Sequence, residues 1–597
     1  MTSYPFKRAC ASILFAASMA AAGIPDAMHP DFDLKEVPLP AKYKTMGLGF
    51  LSDGRMVLAT TEQIGGGEVP AADPVNKLFV VTNPGASDAA SIRIKEVANN
   101  WKQMVGVTIV DDKIYVSDRD GFYRIQDIQS SALDLANNRQ KIASWPDENK
   151  WNAGYTWHQW VFTPMYWQGS FYAPYSGSIR PGGPSDVPAT TAFSGSFLKW
   201  DLTGKLEKVA GGLRSPNGAN IDPNGEMFVA DNQGSWLPSS TFMHMKPNKF
   251  YGHRQSPTRD SLGNITKNNG TNWAETLPYE RPTAWLDHGN VRSSPSQPVY
   301  MDKGRYAGDW LLGDVNNPGL IRVALDKVDD TYNGAVFWFS KGMGASAINR
   351  MAWGKDGSLY VGTIMKIAGN WPGGDKAPLY KMTPKASAAT FDMRAIRHLA
   401  DGLEILFTDP VDPASIAGGN FTVSQWNYVR QEGYGKGKGS SEPRAVSATG
   451  ISADGMRVHL KIAGLKEDYV TYVKLGAVKA ANGGTAVWNN ESWFTLNKLS
   501  TRAWNASVSI ADEAPRTVKL ENRLRQRLSA RGLEVSIDGE GTRSFSLVAL
   551  NGSRVRTAST TGSASVILPT SGLAKGLYLL EVRQGGESLV RPVSLSF

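Results

Sequence analysis

Apolar and polar positions alternate along most of the chain in short runs, each introduced by a turn signal. One unit recurs six times in the first 385 residues: Ser52-Asp53-Gly54-Arg55-Met56-Val57-Leu58-Ala59, Asp111-Asp112-Lys113-Ile114-Tyr115-Val116-Ser117, Gln168-Gly169-Ser170-Phe171-Tyr172-Ala173, Pro223-Asn224-Gly225-Glu226-Met227-Phe228-Val229-Ala230, Gly308-Asp309-Trp310-Leu311-Leu312-Gly313 and Lys355-Asp356-Gly357-Ser358-Leu359-Tyr360-Val361-Gly362. Asp-Gly and Asn-Gly turns tolerate positive φ, and the period-two run behind each fits a half-buried strand. The unit restarts about every 45 to 85 residues, which suits four-stranded blades carrying loop insertions. Six copies predict a six-bladed β-propeller over 40–385. A series of β-sandwiches is the competing reading, but it has no reason to restart the same unit so regularly.

The pattern changes after Met382-Thr383-Pro384. From 387 to 497, strands such as Leu403-Glu404-Ile405-Leu406-Phe407 and Val458-His459-Leu460-Lys461-Ile462 predict a smaller immunoglobulin-like sandwich, expected to act as a spacer. Its Gly/Lys/Ser stretch from Gly433 to Ser441 reads as a mobile loop. A linker over 498–519 leads to a last β unit, 520–597. The end of that unit, Gly576-Leu577-Tyr578-Leu579-Leu580-Glu581-Val582, resembles C-terminal sorting domains of secreted bacterial proteins. The expected fold class is thus all-β: a propeller followed by two small sandwiches.

The first 22 residues read as a cleaved export signal: Lys7 and Arg8, an apolar run from Ala9 to Ala22, then Gly23. The expected location is secreted or at the bacterial cell surface, with attachment through the C-terminal unit. No later run is long enough to span a bilayer as a helix. The single cysteine, Cys10, falls in the signal, which excludes disulfides, thiolate metal sites and a haem-attachment motif from the remainder. The net charge of +9 is scattered, without the basic runs that a nucleic-acid partner would favour. No Gly-x-Gly-x-x-Gly opens a helix, so NAD is not expected, and the seven histidines are too dispersed for zinc. Asp287-His288 followed by Ser293-Ser294 is a chance-level echo of a hydrolytic triad.

The most informative segment is Leu213-Arg214-Ser215-Pro216-Asn217-Gly218, followed by a strand, then Asp231-Asn232-Gln233-Gly234, and later Lys249-Phe250-Tyr251-Gly252-His253. This order resembles the soluble quinoprotein glucose/sorbosone dehydrogenases, across roughly residues 40 to 385. The resemblance implies a six-bladed propeller that binds pyrroloquinoline quinone (PQQ) and calcium at its channel mouth. It would oxidise a sugar or related alcohol and pass electrons to a separate acceptor. On that reading His158 is the general base, its imidazole suited to neutral pH, while Arg214 and Asn217 anchor cofactor or substrate. Arg214 equally suits a blade-closing hydrogen bond to a carbonyl, and His158 equally suits packing among tryptophans. The chain departs from the family where Ser215 replaces an asparagine, where Gly313-Asp314-Val315-Asn316-Asn317-Pro318-Gly319 lacks a lysine, and where Asn349-Arg350 replaces paired arginines.

Two other readings stand beside this one. Pro216-Asn217-Gly218 and Phe228-Val229-Ala230-Asp231 also resemble calcium-dependent lactonase propellers, in which Asn217 would be a metal ligand and Glu62 the early candidate for a second. A non-catalytic carbohydrate-binding propeller would instead use some of the 18 tryptophans, such as Trp145, Trp151, Trp157, Trp160, Trp167, Trp236, Trp273 and Trp371, as stacking faces.

Overall fold

The computed structural model describes residues 28–62, 75–128, 138–146, 160–177, 193–253, 278–316, 319–342, 347–365, 377–507, 524–529, 531–537, 541–561, 565–584 and 587–595, apart from positions 41 and 432. The predicted leader, the 498–519 linker beyond residue 507, and His158 fall outside them. Among the described residues the regular structure is β throughout, with only short 3-10 turns besides. No helix there is long and apolar enough to cross a membrane.

Six antiparallel four-stranded sheets follow one another along the chain. Blade one comprises Lys44–Phe50, Met56–Thr61, Lys77–Thr82 and Arg93–Ala98; blade two Gly106–Val110, Lys113–Ser117, Gly121–Ile125 and Arg139–Ser144. Blade three comprises Met165–Trp167, Ser170–Tyr175, Ser196–Trp200 and Glu207–Gly211; blade four Pro216–Ile221, Met227–Asp231, Ser240–His244 and Ala284–Leu286. Blade five comprises Pro295–Tyr300, Trp310–Asp314, Leu320–Val328 and Thr331–Ser340. Blade six takes three strands from Ala347–Trp353, Leu359–Met365 and Leu379–Pro384, and its fourth is Phe32–Glu36 from the start of the described chain. That closing strand lies ahead of residue 40, where the sequence pattern begins.

The first strands of the blades touch their neighbours in cyclic order, blade six against blade one included, so the sheets stand radially around a common axis. Every turn-plus-strand unit of the sequence repeat is a turn leading into the second strand of its blade. Gly54, Asp112, Gly169, Gly225, Gly308 and Gly357 in those turns all have φ between 60° and 94°, which accounts for the recurring Asp, Asn and Gly. Separate apolar clusters fill the wedges between successive blades, such as Val57, Val80, Ile114 and Val116 between blades one and two. Large buried cores therefore hold the ring together.

The second unit is two sheets over one core. One sheet holds Met393–Leu399, Gly402–Phe407, Arg457–Lys461 and Ala448–Ile451; the other holds Phe421–Asn427, Glu442–Arg444, Tyr469–Leu475 and Glu491–Leu496. The second sheet is continuous with blade five, because Glu491–Leu496 pairs with Thr331–Ser340 in the register Gly334↔Thr495 to Phe337↔Ser492. The fully buried Arg322 clamps the junction, donating to Asp309 at 2.5 Å and to the carbonyls of Arg394 (2.7 Å) and Met393. The last unit packs Leu533, Val535, Phe545, Leu547, Leu580 and Val582 between two further sheets.

Candidate functional site

The polar residues singled out by the sequence gather at the end of the propeller where the first strands begin. At each blade this rim is formed by the entry to the first strand and the exit from the second. In blade four the exit residue Asp231 organises the entry turn: Oδ2 accepts from the Arg214 N–H and Oδ1 from the Ser215 N–H, both at 2.7 Å. Burial pushes its carboxyl up to about 6, against the pull of these backbone donors and of the Arg214 charge. Asp314 does the same in blade five, accepting from the Ser293 and Ser294 N–H groups at 2.8 Å.

Arg214 is buried, and burial lowers its pKa. One side of its guanidinium lies against Gly234, where any Cβ would collide with it, and Tyr434 of the second unit lies over it at 5.2 Å. The Arg214 charge reaches the His253 imidazole, and Asn232 and Gln233 precede Gly234 in the same loop. Asn232 Nδ2 donates to Ser294 Oγ at 3.0 Å, and Gln233 Nε2 meets His288 Nε2 at 3.0 Å. His253 Nδ1 lies 3.2 Å from the Ser235 carbonyl and so carries the proton. Burial holds its imidazole neutral, down at about 3, and also lowers the pKa of His288. Asn232 Oδ1, Gln233 Oε1 and His253 Nε2 are buried with no hydrogen-bond partner among the described residues. All three can accept hydrogen bonds.

Asn217 lies elsewhere, on the axis. Its Nδ2 donates to Asn349 Oδ1 at 3.1 Å, and its carbonyl and Oδ1 accept from Arg350 Nη1 at 3.0 and 3.1 Å. Arg350 also donates from Nε to the Met46 carbonyl at 3.1 Å and from Nη2 to the Val105 carbonyl at 2.9 Å. One guanidinium thus ties the first strand of blade six to blade four, to blade one and to the entry of blade two. Burial lowers its pKa to about 9.

The structure brings Arg214 and the segment after His158 to one rim: Ser176 N–H donates to the Trp160 carbonyl at 3.0 Å, and Gly177 N–H to the Arg214 carbonyl at 2.8 Å. His158 itself lies outside the described residues. Glu62 is ion-paired with Lys42 at 2.8 Å. No group of three or more potential metal ligands occurs among the described residues. Trp145, Trp160 and Trp236 are buried core residues rather than stacking faces, Trp145 meeting Trp200 edge-on at 5.3 Å. Trp167 is half-buried, and Trp151, Trp157, Trp273 and Trp371 lie outside the described residues. His288 faces Gln233, not a serine.

Which residues would hold a quinone can be read only in part, because His158 and the chain at 178–192, 254–277 and 366–376 fall outside the described residues. A tricarboxylate needs several cationic donors; among the described residues Arg350 is engaged with Asn217 and with carbonyls of the axial strands. Sequence reasoning reached the Asp231-Asn232-Gln233-Gly234 loop through its position behind a strand. It had no signal for Tyr434, about 200 positions away on another unit.

No known protein family and no curated protein matches the sequence. Among solved structures the chain is similar to a putative oxidoreductase (glucose dehydrogenase) of Thermus thermophilus, at 14% identity and TM-score 0.41, over 59% of this chain and 99% of that one. It is similar to the soluble aldose sugar dehydrogenase of Escherichia coli in its apo form, at 13% and 0.39, over 59% and 100%. The PQQ-bound aldose sugar dehydrogenase of Streptomyces coelicolor follows at 15% and 0.36, over 59% and 99%. The propeller resembles those of sugar dehydrogenases. Its assignment rests on the six radial sheets themselves.

Proposed function

We propose that this chain recognises a sugar or related polyol at the blade-four side of its propeller mouth. The observation that carries the reading is a set of buried acceptors in the loops of blade four, Asn232 Oδ1, Gln233 Oε1 and His253 Nε2, without a partner among the described residues. A polyol presents hydroxyl hydrogens to such acceptors. The resemblance of the Arg214 and Asn232-Gln233-Gly234 segments to sugar dehydrogenases supports the same ligand class. The export signal read over 1–22 and the sorting-type C-terminal unit fit a protein that meets its ligand outside the cell, at or beyond the bacterial surface.

Calorimetric titration of the full chain with D-glucose, D-xylose, cellobiose and xylobiose tests this. Binding that is lost in Gln233→Leu is the expected result, and no binding by any of the four overturns the reading. A parallel arm adds PQQ and calcium and follows dye reduction with each sugar. Turnover there would show that the recognised sugar is oxidised, and no turnover with any of the four would leave a binding role alone.

A further inference from the structure

The segment that the sequence suggests is a mobile loop forms a hairpin that leaves the second unit and docks on this mouth. Asn427 and Gly439 face each other at its base (Gly439 N–H to the Asn427 carbonyl, 2.9 Å), and Val429 N–H donates to the Gly437 carbonyl at 2.8 Å. Its contacts with the propeller are specific. Gly435 N–H donates to the Gly234 carbonyl at 3.1 Å, and Trp236 N–H donates to the Gln431 carbonyl at 2.9 Å. Lys438 Nζ bridges both oxygens of the buried Asp287 at 2.6 and 2.8 Å, and Tyr428 OH donates to the same carboxylate. Arg430 reaches the Gly252 carbonyl at 3.2 Å and lies 4.1 Å from the Tyr279 ring centroid.

At the tip, Gly435 has φ 62° and packs so closely on the Gln233 carboxamide that a Cβ would sit 3.0 Å from Oε1. The neighbouring Tyr434 lies over Arg214, yet it remains 45% exposed. A half-exposed aromatic ring at the edge of buried amides is the pairing that sugars need: a flat apolar face for the ring hydrogens and polar groups for the hydroxyls.

We propose that the sugar site is composite, with Tyr434 of the second unit serving as its stacking face and specificity-determining residue, while blade four supplies the hydroxyl contacts. This rests on the sugar reading above and makes the second unit part of the site rather than a spacer. The hairpin is held by Asp287, by the Gly234 carbonyl and by the Trp236 N–H, so Tyr434 is placed by the fold and need not be recruited by ligand.

The test compares wild-type full chain, Tyr434→Ala and Tyr434→Phe by titration with the four sugars named above. Tyr434→Ala should weaken the best-bound sugar by roughly tenfold or more, while Tyr434→Phe keeps the ring and should stay within about threefold. Equal affinity of Tyr434→Ala and wild type overturns the composite site and leaves the sugar reading standing; absence of wild-type binding overturns both. A loss in Tyr434→Phe as large as in Tyr434→Ala overturns the stacking role. Hydrogen exchange of wild-type residues 427–439, with and without saturating sugar, needs no variant. Protection supports the proposal, and unchanged exchange overturns it.

Discussion

Arg350 Nη1 donates to both the backbone carbonyl and the side-chain oxygen of Asn217, at 3.0 and 3.1 Å, across the axis of the propeller. The same guanidinium reaches the carbonyls of Met46 and Val105, so its donors serve four blades at once. Asn217, which the family resemblance assigns to a ligand, is thus also tied into the scaffold. Replacing Arg350 with leucine leaves Asn217 Oδ1 and the carbonyls of Asn217, Met46 and Val105 without this donor. The expected loss is about 3–5 kcal/mol in urea unfolding. Asn217→Ala should cost less, about 1–2 kcal/mol, since Arg350 keeps its other acceptors. A loss under about 1 kcal/mol in Arg350→Leu would contradict the axial role.

Ring closure depends on Phe32–Glu36 pairing with Leu379–Pro384. Phe32 is buried against Phe339, ring centroids 5.4 Å apart. Phe32→Ala should therefore destabilise the propeller by about 3–5 kcal/mol. Deleting residues 28–37 should expose the Leu379–Pro384 edge and drive association, seen as larger species in size-exclusion chromatography.

Acid sensitivity should track buried imidazoles. His253 is held down at about 3, and His29 and His244 at about 4, mainly by burial. Each has a folded pKa below the unfolded value of 6.5, so the unfolded chain binds the extra proton between those limits. Their contribution is complete above pH 6.5 and is lost as pH falls through that window. Asp231, raised from 3.8 to about 6, acts in the opposite sense between those two values. His253→Asn should lower the slope of stability against pH by up to ~1.4 kcal/mol per unit between about pH 4 and 6. Urea unfolding at a series of pH values measures this, and an unchanged slope refutes it.

The hairpin should come loose when its anchor loses charge. Asp287→Asn removes the ion pair with Lys438 and weakens the bond from Tyr428. We expect faster proteolytic cleavage within 427–439, with little change in the melting of the propeller, whose apolar wedges do not involve that carboxylate. Equal cleavage rates in variant and wild type would show that the backbone contacts at Gly234 and Trp236 suffice.

How much of this was legible beforehand follows from range. The six turn-strand units were readable because a hairpin turn and a period-two strand are local: Asp-Gly at 53–54 and 356–357 supplies positive φ whatever lies around it. The Arg-Ser-Pro-Asn-Gly segment was recognisable as a rim element for the same reason, since Asp231 sits only one hairpin away from the turn it organises. The division of labour between Arg214 and Asn217 was not readable. Three positions apart on one strand entry, they part company because one turns to the loops of blade four and the other to Arg350, 133 residues on.

By itself, the sequence determined the all-β character, the six-fold repeat and which loops reach the mouth, because backbone periodicity and turn chemistry act between near neighbours. Only the tertiary structure decided that the first strand closes the last blade, that Arg350 fills the axis, and that Tyr434 arrives from another unit to cover Arg214. Those pairings join positions hundreds of residues apart. They arise from ring closure and from packing one unit on another, which no local pattern encodes.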